Sequence, residues 1–206
     1  MGPILMLFKN PGAFFLLMIP LLYSVIIHEV AHGWVAEKMG DTTARWMGRI
    51  TLNPIKHLDP IGTLMLLFFG FGWAKPVPVN FSNLRDYRKG MILVSAAGIT
   101  ANITLAFLAL LIIKMNIFSP WGTMAAILSV LARINIILAA FNLIPIPPLD
   151  GSKILMGFVS NRVQYQLMQL EPYGMFIILG LLFFGLLNPL ITFFEQIIVT
   201  IINLIL

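Results

Sequence analysis

From Phe14 to Met39 the chain is one long, largely apolar stretch, and midway along it runs His28-Glu29-Val30-Ala31-His32. About 20 consecutive apolar residues predict a helix that crosses a bilayer, because only a helix satisfies its own backbone polar groups in hydrocarbon. On such a helix, positions four apart share one face about 6 Å apart along the axis, so both imidazoles can reach one metal ion. Glu29 lies about 100° around the helix, where it can touch a water on that metal without competing as a ligand. In this pattern two His hold Zn²⁺ and the Glu acts as general base, which makes metal-assisted hydrolysis the first hypothesis. The bland alternative is a chance match or a satisfied core histidine. Against it, the whole chain has three His, two of them at this spacing, in surroundings where desolvating polar groups is costly.

The rest of the chain agrees with a membrane setting. Charged residues make up 10% and hydrophobic residues 59% of the 206, whereas soluble chains carry about 25% charged residues. A soluble globule is excluded, and an all-α polytopic membrane protein of about four to six membrane segments is expected, as one domain over residues 1–206. The net charge of +5 reads as topology, with phospholipid and not nucleic acid as its counterpart. The absence of Cys excludes disulfides and thiolate ligands. Lys9 before a long apolar run superficially resembles a signal peptide, but a catalytic pattern inside that run argues that it is retained.

Residues 1 to 11, broken by Pro3 and Pro11, are expected at the interface. Spans are expected from about Ala13 to Met39, Met91 to Ile113 and Trp121 to Leu143. Ile61 to Trp73 is too short to cross, so a re-entrant or β-hairpin region is expected between the first and second spans. Lys38, Arg45, Arg49, Lys56, Lys75, Arg85, Arg88 and Lys89 then share one side, as positive-inside topology requires. Ser152 to Tyr173 reads as an amphipathic connector on that basic side. Gly174 to Leu206, cut by Asn188-Pro189, is either one kinked span or two short segments. This arrangement puts the N-terminus outside, and the two His toward the cytoplasmic end of their helix.

A catalytic zinc keeps three protein ligands and one open position. A metzincin would need Gly and His where this chain has Val35 and Lys38. Glu37 and Asp41 lie along the same helix or its cap, and Asp86 sits among Arg85, Arg88 and Lys89. Asp150 follows Pro145, Pro147 and Pro148, a rigid stretch that can expose unwound backbone and hold a carboxylate in a cavity. A carboxylate there is costly unless paired, and a metal is the obvious partner. Two alternatives stay open: a Pro-rich loop with an Asp-Gly turn, and His57 as the rival ligand. Asn102 and Asn142 each have two readings, an interhelical hydrogen bond or donation to a substrate carbonyl or its oxyanion. Arg133 reads as an ion pair or a snorkelling side chain without chemistry.

The HExxH helix, Gly98 and Asn102, and Asn142-Leu-Ile-Pro145-Ile-Pro147-Pro148-Leu-Asp150-Gly151 together resemble the site-2 protease family of intramembrane zinc metalloproteases. Gly40-Asp41, Gly48-Arg49, Thr51-Leu-Asn-Pro54, His57-Leu-Asp-Pro60-Ile-Gly62 and Lys75-Pro-Val-Pro-Val-Asn80 are similar to its compact prokaryotic branch. The resemblance covers roughly residues 20 to 155 and is far more specific than HExxH alone. It implies one Zn²⁺ per chain on His28, His32 and Asp150, with Glu29 as catalytic base. It further implies cleavage of transmembrane segments of other membrane proteins, a prokaryotic cell membrane location, and an active site toward the cytoplasm. The implied partners are a transmembrane protein substrate and lipid, and homo-oligomerisation stays open. Lys75 to Asn80 is similar to the family's membrane-associated β-hairpin region, suited to present the substrate as a strand. No PDZ or nucleotide-sensing module and no extra N-terminal span is expected, so selection and regulation would come from the core or from partners. Two other classes compete: a zinc-binding membrane transporter, which would usually show more polar residues along a path and internal repeats, and an inactive scaffold, against which the retained Glu29 argues.

Overall fold

The computed structural model describes residues 3–206, so the interfacial expectation for residues 1 and 2 lies outside the described residues. A short helix α1 (Pro3–Lys9), with no buried residue, leads into α2 (Pro11–Lys38). Asn10 caps α2, its Oδ1 accepting from Ala13 N at 3.0 Å. Pro11 costs nothing in the first turn, where a backbone N–H has no helical acceptor. The chain leaves α2 through Gly40 at φ +114°, a backbone conformation that side chains rarely tolerate.

Two more long helices follow, α5 (Tyr87–Lys114), capped by Asp86, and α6 (Thr123–Leu143). Ser24 of α2 meets Asn102 of α5, His32 meets Val94, and Ala36 packs on Val94 and Leu84. Numbers rise on α2 as they fall on α5, so the two are antiparallel. The turn at 115–122 then sends α6 back toward the start of α5. The last helix, α10 (Leu187–Ile205), starts with Leu187 packed on Ile144 and Leu149, just past the end of α6, and ends where Lys114 Nζ donates to the Leu206 carbonyl. It therefore runs the length of the bundle. Ala106, Ala139 and Ala140 lie in the shared core with Ile198 and Ile202, since small residues let membrane helices close in.

Among the described residues, five helices are long and apolar enough to cross a bilayer. The fifth is the continuous helix formed by α8 (Asn161–Leu170), a 3₁₀ turn at Glu171–Tyr173 and α9 (Gly174–Phe183). Its start is held at the start of α5, by Arg88 Nη2 donating to Asn161 Oδ1 at 2.7 Å and Gln164 Nε2 to Tyr87 Oη at 3.3 Å. Its later part packs through Ile178 on Ile144 and Leu149, past the end of α6. The first contact is at the start of α5, and the second is beside the Asp150 turn, which lies with His28 and His32 against Gly98 of α5. Residues 161–183 and 187–205 are each long and apolar enough to cross a bilayer. Helix α7 (Asp150–Phe158) ends at the start of α5, with Arg88 Nη1 bonded to the Gly157 and Val159 carbonyls at 3.1 and 2.7 Å.

Between α2 and α5 lie α3 (Thr43–Trp46) and α4 (Pro60–Phe69). Asp59 caps α4, Pro60 opens it and Gly70 at φ +78° ends it. Ten residues reach about 15 Å, half a bilayer. The chain then doubles back as an extended strap, residues 71–80, so close to α4 that a Cβ on Gly62 would collide with the Trp73 carbonyl. The region is thus a short helix followed by a returning strap. The β-hairpin reduces to one antiparallel bridge, Leu58 with Ala74, among the described residues. Arg49 Nη2 grips the Lys75 carbonyl at 2.8 Å, and buried Asp41 accepts from Asn80 N at 2.7 Å and Asn83 Nδ2 at 3.0 Å. Burial opposes ionisation of Asp41, but these bonds and those from Thr43 outweigh it and hold the carboxyl below its ordinary range. The clasp is therefore lost only as pH falls through that lowered value.

Candidate metal centre

His28 and His32 face α5 from α2, both largely buried, with their Nε2 atoms 2.9 Å apart. Asp150, the first residue of α7, brings Oδ2 to 3.1 Å from each of them. Its approach depends on Gly151, where a Cβ would collide with the Leu143 carbonyl, so the chain turns tightly against the end of α6. Among the described residues, these three form the only group of His, Asp and Glu side chains able to hold one metal ion, with their ligand atoms within 4.8 Å of one another.

The hydrogen bonds behind the two rings fix which nitrogens carry protons. Asn135 Nδ2 donates to the Leu131 carbonyl at 2.8 Å, and a carbonyl can only accept. Asn135 therefore turns Oδ1 toward Asn102, whose Nδ2 donates to it at 2.7 Å. Asn102 must then present Oδ1 to His28 Nδ1, at 2.6 Å, and His28 must donate. His32 Nδ1 likewise donates to the Val94 carbonyl at 2.7 Å. Each neutral ring is left with a bare lone pair on Nε2. Two such lone pairs and a carboxylate oxygen without a hydrogen-bond partner converge on one point, an arrangement that repels itself unless a cation lies between. Gly98 makes the rear wall: a Cβ there would stand 2.5 Å from His28 Cε1 and His32 Nε2. Two imidazoles and one carboxylate fit a divalent ion such as zinc with a fourth position open.

Glu29 lies beside this group and outside it. Its Oε2 accepts from Val77 N at 2.7 Å. Val77 stands between Pro76 and Pro78, so it has the only N–H in that part of the strap. Gly33, one turn beyond Glu29, lets the strap lie flat; a Cβ there would come within 2.9 Å of Val77 Cγ1. His28 and Glu29 line a cleft of about 390 Å³ walled by Leu22 and Val25 of α2, Leu66 of α4, Trp73 of the strap, and Leu138 and Phe141 of α6. The walls are largely apolar.

His57, the rival ligand, lies outside the group of three, and its Nε2 bonds the Thr51 carbonyl at 2.8 Å. Both ends of the Asn102 amide are engaged, Oδ1 by His28 and Nδ2 by Asn135. Of its two readings, the interhelical hydrogen bond is the one present. Asn142 does line the cleft, with Nδ2 donating to the Leu138 carbonyl at 2.9 Å. The Ser24–Asn102–Asn135 chain was not anticipated, although one polar residue in each of three apolar helices is its trace in the sequence. Replacing Asn102 by Leu removes the acceptor that fixes the His28 tautomer. Divalent-metal affinity is expected to fall about 10–100-fold, measured by competition with a chelator.

The sequence profile of peptidase family M50 matches residues 115–185, a segment that contains Asp150. YwhC of Bacillus subtilis, a candidate zinc metalloprotease by its name, is 42% identical over 172 residues, covering 80% of this chain and 78% of YwhC. Rip2 of Mycolicibacterium smegmatis, named in the same way, is 29% identical over 86% of this chain and 70% of its own length. MJ0392 of Methanocaldococcus jannaschii, named a zinc metalloprotease, is 27% identical over 72% of this chain and 36% of its own length. No solved structure gives a significant match.

Proposed function

Because the chain belongs to peptidase family M50, the site-2 protease family, we propose that it is a zinc metalloprotease that hydrolyses peptide bonds in or near transmembrane segments of other membrane proteins. The observation that carries this reading is the placement of Glu29 next to three converging ligand atoms, on the wall of an apolar cleft between spanning helices. A carboxylate beside the ligand atoms but outside their group is what a general base requires.

His28 Nε2, His32 Nε2 and Asp150 Oδ2 would hold the zinc, which when bound would supply the Lewis acidity that polarises a carbonyl and makes water nucleophilic near neutral pH. The protein does the rest. Glu29 accepts the proton of the attacking water and returns it to the leaving amine. The Val77 N–H holds one of its carboxylate oxygens, which leaves Oε1 to carry the proton. The apolar walls accept the side chains of a membrane segment and exclude bulk water. A substrate helix must unwind to be cut, because its carbonyls are otherwise hydrogen-bonded and shielded.

All three ligands come from one chain, so one zinc per chain needs no second copy. Arg45, Arg49, Lys75, Arg85 and Arg88 belong to the loops and helix start at the site end, which supports a cytoplasmic orientation in a prokaryotic cell membrane. The test is reconstitution in liposomes with a panel of reporter transmembrane segments. Cleavage is expected to require zinc, to stop on chelation and to return on its replacement. A zinc-loaded chain that cuts none of the panel and instead passes zinc into the liposomes would overturn the reading in favour of transport.

A further inference from the structure

We propose that α6 and α10 form a docking face for a second copy of this chain within the membrane, closed by two reciprocal ion pairs, Arg133 of each copy with Glu195 of the other. This holds whatever the chain cuts. One side of α10 is left uncovered by the rest of the chain. Asn188, Thr192, Gln196 and Thr200 are four apart, so they run along that side, and Asn203 falls on it too. All five are exposed. Leu187, Ile191, Ile198 and Ile202, spaced by four and seven, make the side that packs into the bundle. Lipid offers amides no hydrogen-bond partner, so a row of exposed amides and hydroxyls on a helix of spanning length marks contact with another helix.

Two charges in mid-span identify the partner. Arg133 is the middle residue of α6 and Glu195 is one residue from the middle of α10, each at least about 12 Å from either end. Snorkelling serves cations near a helix end, and Arg133 is not near one. Arg133 is exposed and Glu195 half-buried. The ion pairs among the described residues join His28 and His32 to Asp150, Arg45 to Glu37 and Lys153 to Glu171, so neither central charge is paired within the chain. Arg133 is three residues from Ile136 and seven from Ala140, which pack with Ile198 and Ile202 of α10, and Glu195 is three and seven residues from those two. Both charges therefore flank the seam between α6 and α10. A two-fold axis along the membrane normal leaves depth unchanged, so a second seam presents its anion to this cation and its cation to this anion. Pairing the two charges within one seam would still leave the Asn, Gln and Thr side open to lipid, whereas a second copy covers both.

The experiment follows self-association of the full chain in liposomes, by energy transfer between two labelled populations as protein is diluted in lipid. The native chain is expected to dimerise. Arg133→Glu alone and Glu195→Arg alone each set like charges against one another across the interface. Each is expected to raise the dissociation constant more than about tenfold, with helicity retained as the check on folding. Mixed in equal amounts, the two variants are expected to pair as the native chain does, because one then carries only anions at its seam and the other only cations. An ion pair confined to one chain predicts no such recovery. Arg133→Gln, which removes the attraction without adding repulsion, is expected to show a smaller loss in the same direction, and serves if a charge reversal fails to fold. A native chain that stays monomeric, or a mixture as dissociated as its components, would overturn the inference, leaving the face to a different membrane protein and the two charges to each other.

Discussion

The Glu29→Gln chain is expected to keep one zinc and to cut a reporter transmembrane segment about 10²–10⁴-fold more slowly than the native chain. The substitution is informative because of what it leaves in place. Glu29 is outside the group of ligand atoms, so the metal should stay bound. A carboxamide oxygen can still accept from Val77 N, so the strap stays against α2. What disappears is an oxygen able to take and return a proton. Glu29→Ala would confuse the result by freeing the strap as well. The comparison is metal content by elemental analysis against cleavage in the same liposomes, and a Gln variant cutting at more than a tenth of the native rate would remove Glu29 from the base role.

The helix that carries the site is legible in the sequence because two signals coincide there, a run long enough to span and a four-residue spacing that puts two ligands on one face. Asp150 is legible for a different reason, since a carboxylate after three prolines next to a span has few inexpensive partners. The short helix α4 is also written locally, in Asp59 as cap, Pro60 as first residue and Gly70 as stop. The contacts between distant segments are not. Nothing in Lys75 to Asn80 says that the Val77 N–H meets Glu29, because an extended strap has no periodicity that points to its neighbour. The amide of Asn102 is visible in the sequence, but which end faces which partner depends on Asn135 and, behind it, the Leu131 carbonyl. The last third fails for a related reason. Length and hydropathy allow residues 161–183 to cross, but nothing local in them points to the capture of Asn161 by Arg88 or the packing of Ile178 on Ile144.

Gly98→Ala is expected to remove the metal without altering any ligand. The argument is one of spacing along α5. Val94, Gly98 and Asn102 are four apart, so they share one face of the helix, and that face is the rear wall of the site. Val94 holds His32 through its carbonyl and Asn102 holds His28 through its Oδ1, at 2.7 and 2.6 Å. A methyl group at the middle position would stand 2.5 Å from His28 Cε1 and His32 Nε2 and 2.6 Å from His28 Nε2. The helix could retreat from the rings only by breaking the bonds on either side of the methyl, and the rings could rotate away only by breaking the same bonds. Zinc stoichiometry is expected to fall below about a tenth of the native value, with cleavage falling in proportion, and excess zinc should not restore either. Asp150→Asn makes the contrast. It weakens one ligand but leaves the cavity its shape, so stoichiometry drops at low zinc and recovers as zinc is raised. Unchanged metal content in Asp150→Asn would place the third ligand elsewhere, and unchanged content in Gly98→Ala would mean that α5 can yield at the point where both rings are tied to it.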